Sequence, residues 1–165
     1  MTRTLAYVIA GIVLLLDQLT KWLMVSVIEL ERLGSIPLIP SLNLTWVENR
    51  GVAMGLLDAG GSDISRWLLV VLTAGISAAV IWWINSERDR ADLFAMSLIL
   101  GGAIGNIIDR VRLGYVIDFV HFYVAEWSFY VFNVADAAIS IGVGLLLLRA
   151  FFGKDAHAKK EEEHA

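Results

Sequence analysis

Asp118 and Asp136 flank a short polar and aromatic stretch that leads into a strongly apolar run. Two carboxylates can divide the work of hydrolysis: one takes a proton from water while the other protonates the departing amine. When two such groups meet, like-charge repulsion splits their titration and the pair shares one proton. Asn133 and Asp136 have the spacing of a helix N-cap and its partner three residues on, a capping box with Asp in place of Glu or Gln. Backbone donors and the helix dipole at such a start favour an ionised carboxylate. Asp136 is therefore expected to be the base. Asp118, inside the apolar run of residues 116–120, is expected to start protonated.

Other chemistries lack their parts. The chain has no cysteine, which excludes a thiol nucleophile, a disulfide framework and a Cys-bound metal. Its histidines are His121, His157 and His164, with no H-E-x-x-H spacing for a zinc protease. No G-x-S-x-G supports a Ser–His pair built on His121, and no P-loop is present. A metal-free, cofactor-free carboxylate site is the expectation. With a net charge of −4 and no basic cluster beside an aromatic platform, nucleic acid is not an expected partner.

Further polar groups sit where they are costly. A charge at the bilayer centre costs roughly 2.5–3.5 kcal/mol on insertion scales, so such groups are paired or functional. Asp17 and Lys21 are four apart in an apolar run and share a helix face, acid first. They either form an ion pair that eases insertion or orient a site residue. Gly101 and Gly105 have small-xxx-small spacing, which permits close helix approach and turns Asn106 toward a neighbouring helix. Asp109 and Arg110 either are interfacial charges that end the span or, sharing the face of Asn106, complete a polar cluster, which that shared face favours.

The elements that must position these groups follow from hydropathy. Hydrophobic residues make up 58% of the 165, the signature of a membrane protein. Apolar runs at about residues 5–28, 67–84, 93–108 and 134–152 are long enough to cross a hydrocarbon core, giving four transmembrane helices in one domain, 1–153. No A-x-A-like site follows the first run, so it reads as an uncleaved span and not as a signal peptide. Residues 29–66 and 110–132 are expected outside the membrane on one side. There the alternation over 42–47 predicts a strand, and the β-branched, aromatic run 115–124 favours strand or irregular structure over helix. Gly51, Gly55, Gly60 and Gly61 break any long helix between them. The charged tail, 154–165, is expected to be disordered. Four spans place both termini on one side, and a slight excess of Arg and Lys makes that side cytoplasmic.

These motifs, in this order, resemble those of the lipoprotein signal peptidases (signal peptidase II). Residues 17–21 (DQLTK) resemble the family's first-span motif, and 49–54 (NRGVAM) its N-x-G-A-A-F segment. Residues 101–110 (GGAIGNIIDR) resemble the third-span signature. Residues 115–119 (YVIDF) and 132–136 (FNVAD) resemble the two aspartate motifs. The resemblance implies an aspartic endopeptidase of the bacterial inner membrane with its site near the periplasmic face. It would cleave diacylated prolipoproteins before the lipidated cysteine and be blocked by globomycin-type inhibitors. The fold it implies adds a small extracytoplasmic β-sheet and a short periplasmic helix to the four transmembrane helices. Asp118 and Asp136 would be catalytic. Asn49, Gly51, Asn106, Arg110 and Asn133 would line the site, with Asp17 and Asp109 supporting it. Membrane lipids are the other expected partners, and a monomer the expected unit. Arg50, Met54 and Tyr130 stand where the family often has Thr, Phe and Pro; they bear on substrate and inhibitor preference.

Two alternatives compete on the residues alone. A small proton-coupled transporter would use Asp17, Asp109 and Asp136 as a relay. A structural membrane subunit would use the polar cluster as a helix contact.

Overall fold

The computed structural model describes residues 1–51, 63–124 and 127–162, with side chains as far as Phe152. The first helix, α1 (Arg3–Trp22), starts at Thr2, whose side chain accepts the Leu5 N–H. It runs directly into a π-helical turn, Leu23–Val27. A short helix α2 (Leu30–Leu33) leads to strands β1 (Ser35–Ile39) and β2 (Leu42–Asn49). Two long helices follow, α3 (Asp63–Ser86) and α4 (Arg90–Leu113). Strands β3 (Val116–Val124) and β4 (Trp127–Ser128) then lead to α5 (Val134–Glu162). Among the described residues, four helical segments are long and apolar enough to cross a membrane: Arg3–Val27, Asp63–Ser86, Arg90–Leu113 and Val134–Phe152.

The third span is the centre of the bundle. In its apolar window 61% of the residues are buried, against 28%, 28% and 17% in the others, so α4 meets protein where they meet lipid. Small residues allow this. A Cβ at Gly101 would lie 2.5 Å from the Ala10 carbonyl oxygen of α1. Ala6, Ala10, Ile84, Leu93, Met96 and Leu100 fill the core between α1, α3 and α4.

Two boundaries differ from expectation. α4 continues past Ile108 to Leu113 because Asn106 and Asp109 find partners inside the bundle. Gly114, in the left-handed conformation at φ 89°, then ends it by donating its N–H to the Arg110 carbonyl. At the other end, α5 runs to Glu162 where the sequence suggested a disordered tail; Ala, Lys and Glu, which dominate it, are strong helix formers.

The sheet has the order β1-β2-β3-β4 and is antiparallel throughout. Met24, Leu30, Ile117 and Phe119 form a second core beneath it. A polar ladder crosses all four strands. The Ser35 and Thr45 hydroxyls are 2.9 Å apart, Thr45 lies 3.3 Å from His121 Nδ1, and His121 Nε2 lies 2.7 Å from the Ser128 hydroxyl. That commits His121 to the sheet. Phe132 is bridged to Val120, with N–H to carbonyl contacts of 2.8 and 3.0 Å in the two directions. The bridge pins the chain just before Asn133 against β3 and so sets the start of α5 beside Asp118.

Candidate active site

The register of β2 on β3 pairs Val47 with Asp118 and Asn49 with Val116. Asn49 is therefore diagonal to Asp118 on the same face of the sheet. Its Nδ2 donates to Asp118 Oδ2 at 2.9 Å, and its Oδ1 accepts the Gly51 N–H at 3.2 Å. Asp118 is buried, 1% exposed, on a strand that turns its other neighbours into the core.

Asn133 joins the two carboxylates. Its Nδ2 donates to Asp118 Oδ1 at 2.6 Å, while its Oδ1 accepts the Asp136 N–H at 2.9 Å. Asp136 Oδ2 in turn accepts the Asn133 N–H at 3.4 Å. This is the capping box anticipated from the sequence, and it also holds Asp136 beside Asp118. Burial, and then the neighbouring Asp136 charge, push the Asp118 carboxyl up to about 7, against the opposing effect of the Asn49 and Asn133 amides.

A second layer fixes the first. Lys21 is 3% exposed, and its ammonium has three N–H donors and no acceptor. They go to Asp17 Oδ2 at 2.9 Å, Asp109 Oδ2 at 2.7 Å and Asn106 Oδ1 at 3.2 Å. Because Lys21 can only donate, Asn106 must present its oxygen there, which leaves its Nδ2 to donate to Asp136 Oδ1 at 2.8 Å. The same Asn106 oxygen accepts from Asn133 Nδ2 at 3.3 Å. Asp17 Oδ1 also accepts the Ala135 N–H at 3.0 Å, satisfying an orphan donor in the first turn of α5. Asp109 Oδ2 accepts the Ile117 N–H at 3.3 Å, next to Asp118. Gln18 bridges the two acids, 3.1 Å from Asp17 and 3.0 Å from Asp109.

Arg110 donates to the Gly51 carbonyl at 3.2 Å, and its charge acts on Asp136, Asp118 and Asp109. Its Nε is buried without a hydrogen-bond partner among the described residues. All nine sequence-predicted site residues thus fall in one connected network. Lys21 and Gln18 were not among them, although a polar residue inside a span is a functional candidate by default. Of the three departures, Arg50 pairs with Glu48 at 2.6 Å and lies over the Tyr115 ring. Tyr130 packs on Phe129 and Phe132. Burial, and then the Asp136 and Asp118 charges, raise its phenol above the usual range. Met54 lies outside the described residues.

A membrane helix bundle with two neighbouring carboxylates, linked through Asn133 and each held by amides, has the parts of a membrane aspartic peptidase. Comparison with known proteins agrees. Residues 9–152 match the family described as Signal peptidase (SPase) II. The lipoprotein signal peptidase of Rhizorhabdus wittichii is 49% identical over 164 residues, covering 99% of this chain and 95% of the relative. That of Halalkalibacterium halodurans is 41% identical over 96% of this chain and 98% of its own. A solved bacterial membrane enzyme superposes with a TM-score of 0.81 at 31% identity, covering 96% of this chain and 93% of that one. The chain belongs to the signal peptidase II family.

Proposed function

We propose that Asp118 and Asp136 are the hydrolytic pair with which this membrane peptidase removes the signal peptide from prolipoproteins. Membership in a peptidase family leaves no role for the transporter or structural-subunit alternatives. The observation that carries the proposal is Asn133, whose side-chain amide donates to the Asp118 carboxylate and whose backbone N–H donates to the Asp136 carboxylate. Asp118, raised to about 7, keeps its proton well above the usual carboxylate range and donates it to the leaving amine. Asp136, at the start of α5 and held by Asn106 and Asn133, activates water as the carboxylate. The Arg110 Nε, which has no hydrogen-bond partner among the described residues, is a donor available to a substrate carbonyl.

In this reading the scissile bond precedes a diacylglyceryl-modified cysteine, and the acyl chains stay in lipid while the peptide enters between spans. The site lies near the periplasmic face of the inner membrane, with both termini cytoplasmic. Globomycin-type inhibitors occupy the same site. The chain works as a monomer.

The test is cleavage by purified, reconstituted enzyme of one precursor with and without its diacylglyceryl group. Cleavage of the lipidated form alone, blocked by globomycin, is expected. Equal cleavage of both forms would defeat the lipid requirement.

A further inference from the structure

A crevice of about 180 Å³ opens between the C-terminal ends of two spans, and neither Asp118 nor Asp136 lines it. Trp22 and the π-helical turn form one wall, and the last turn of α4 forms another. Span ends are where lipid headgroups lie, and Trp is favoured there. The floor is Lys21 and Asp109, but Lys21 has committed all three N–H donors and offers no cation.

The available charges are on the rim. Arg112 and Glu31 both line the crevice and are exposed. Neither makes a hydrogen bond or ion pair among the described residues, and they do not pair with each other. Taken singly, each complements its own helix end: Arg112 the last turn of α4, Glu31 the first turn of α2. What helix ends do not explain is why opposite charges, unpaired among the described residues, border one crevice walled by the aromatic rings of Trp46 and Tyr115.

We infer that this crevice binds the zwitterionic headgroup of an aminophospholipid, with the phosphate on Arg112 and the ammonium on Glu31. A guanidinium meets phosphate oxygens with two parallel N–H donors. An ammonium is held by a carboxylate and by aromatic faces. The size agrees, because sites for drug-sized ligands occupy about 300–1,000 Å³, and this one suits a headgroup whose chains remain outside. Val25 and Leu113, apolar and exposed at the crevice, continue it toward the lipid-facing sides of α1 and α4. The π-helical turn, closed by the Ile28 N–H on the Leu23 carbonyl at 2.9 Å, carries Val25 and Ser26 into the wall. Such turns recur at functional sites.

The experiment is native mass spectrometry of the delipidated full chain titrated with phosphatidylethanolamine or phosphatidylglycerol. Wild type is expected to retain phosphatidylethanolamine preferentially. Arg112→Gln should weaken that retention about tenfold, the loss expected for one charge-assisted contact. Glu31→Gln should erase the preference between the two lipids. Both side chains are exposed, so the variants should melt with wild type. Soluble phosphoethanolamine at millimolar concentration should not displace the lipid. Wild-type retention by both variants, equal retention of the two lipids by wild type, or displacement by the soluble headgroup would each overturn the inference.

Discussion

Replacing Lys21 with Met keeps the length of the side chain and removes its charge. In the folded chain Lys21 is 3% exposed and is the counter-charge for two buried acids, Asp17 at 2.9 Å and Asp109 at 2.7 Å. Both acids keep neutral donors after the change: Gln18 serves both, Ala135 N–H serves Asp17 and Ile117 N–H serves Asp109. They lose the cation that pairs with both, the only one to do so among the described residues. Removing one partner of a buried ion pair costs about 3–5 kcal/mol, because the remaining charge stays uncompensated. At roughly 2–4 °C per kcal/mol for a chain of this size, Lys21→Met should melt about 6–20 °C lower. Tryptophan fluorescence during heating in detergent reads this directly. The double variant Asp17→Asn/Lys21→Met removes one stranded charge and should recover part of the loss. A single variant that melts within about 2 °C of wild type would refute the counter-charge role, as would a double variant less stable than the single one.

The remaining predictions concern the site itself. Asp118, with its proton held up to about 7, should give kcat/KM an alkaline limb there, since above it the acid is lost and both carboxylates are charged. The Asn49 amide favours the charged form of Asp118, so Asn49→Ala should move that limb to higher pH; a limb that stays or moves lower in a pH–rate series contradicts the assignment. Gly105→Ala would put a Cβ 2.5 Å from Asp17 Oδ2, forcing apart the contact on which Lys21 and Ala135 depend. Its cost should be about 1–3 kcal/mol by thermal unfolding, typical of overpacking, whereas Gly144→Ala, inside α5 with nothing within 4 Å of the added Cβ, should cost nothing and stabilise by up to about 1 kcal/mol.

Much of this was legible in the sequence because it depends on local periodicity. Apolar runs gave the spans, alternation gave β2, and the Asn133–Asp136 spacing gave the start of α5 and its cap. The Asp17–Lys21 pair was legible from its four-residue spacing, but not its third member. Asp109 lies far along the chain, and only the packing of α4 on α1 brings it to Lys21. Read alone, Asp109 and Arg110 look like charges that end a helix, which is why the third span was expected to stop near Ile108. Nor does Leu23–Val27 carry a composition that marks a π-helical turn. The role of Asp17 as acceptor for the Ala135 N–H, 118 residues away, is tertiary information entirely.

The central claim is that Asp118 and Asp136 act together on one water. Steady-state cleavage of a diacylated precursor by Asp118→Asn, Asp136→Asn and the double variant tests it most directly. Each single change should lower kcat by about 10²–10⁴ with KM little altered, and the double change should be scarcely worse than either. Near-normal turnover in either single variant, or losses that multiply in the double, would contradict a shared-proton pair.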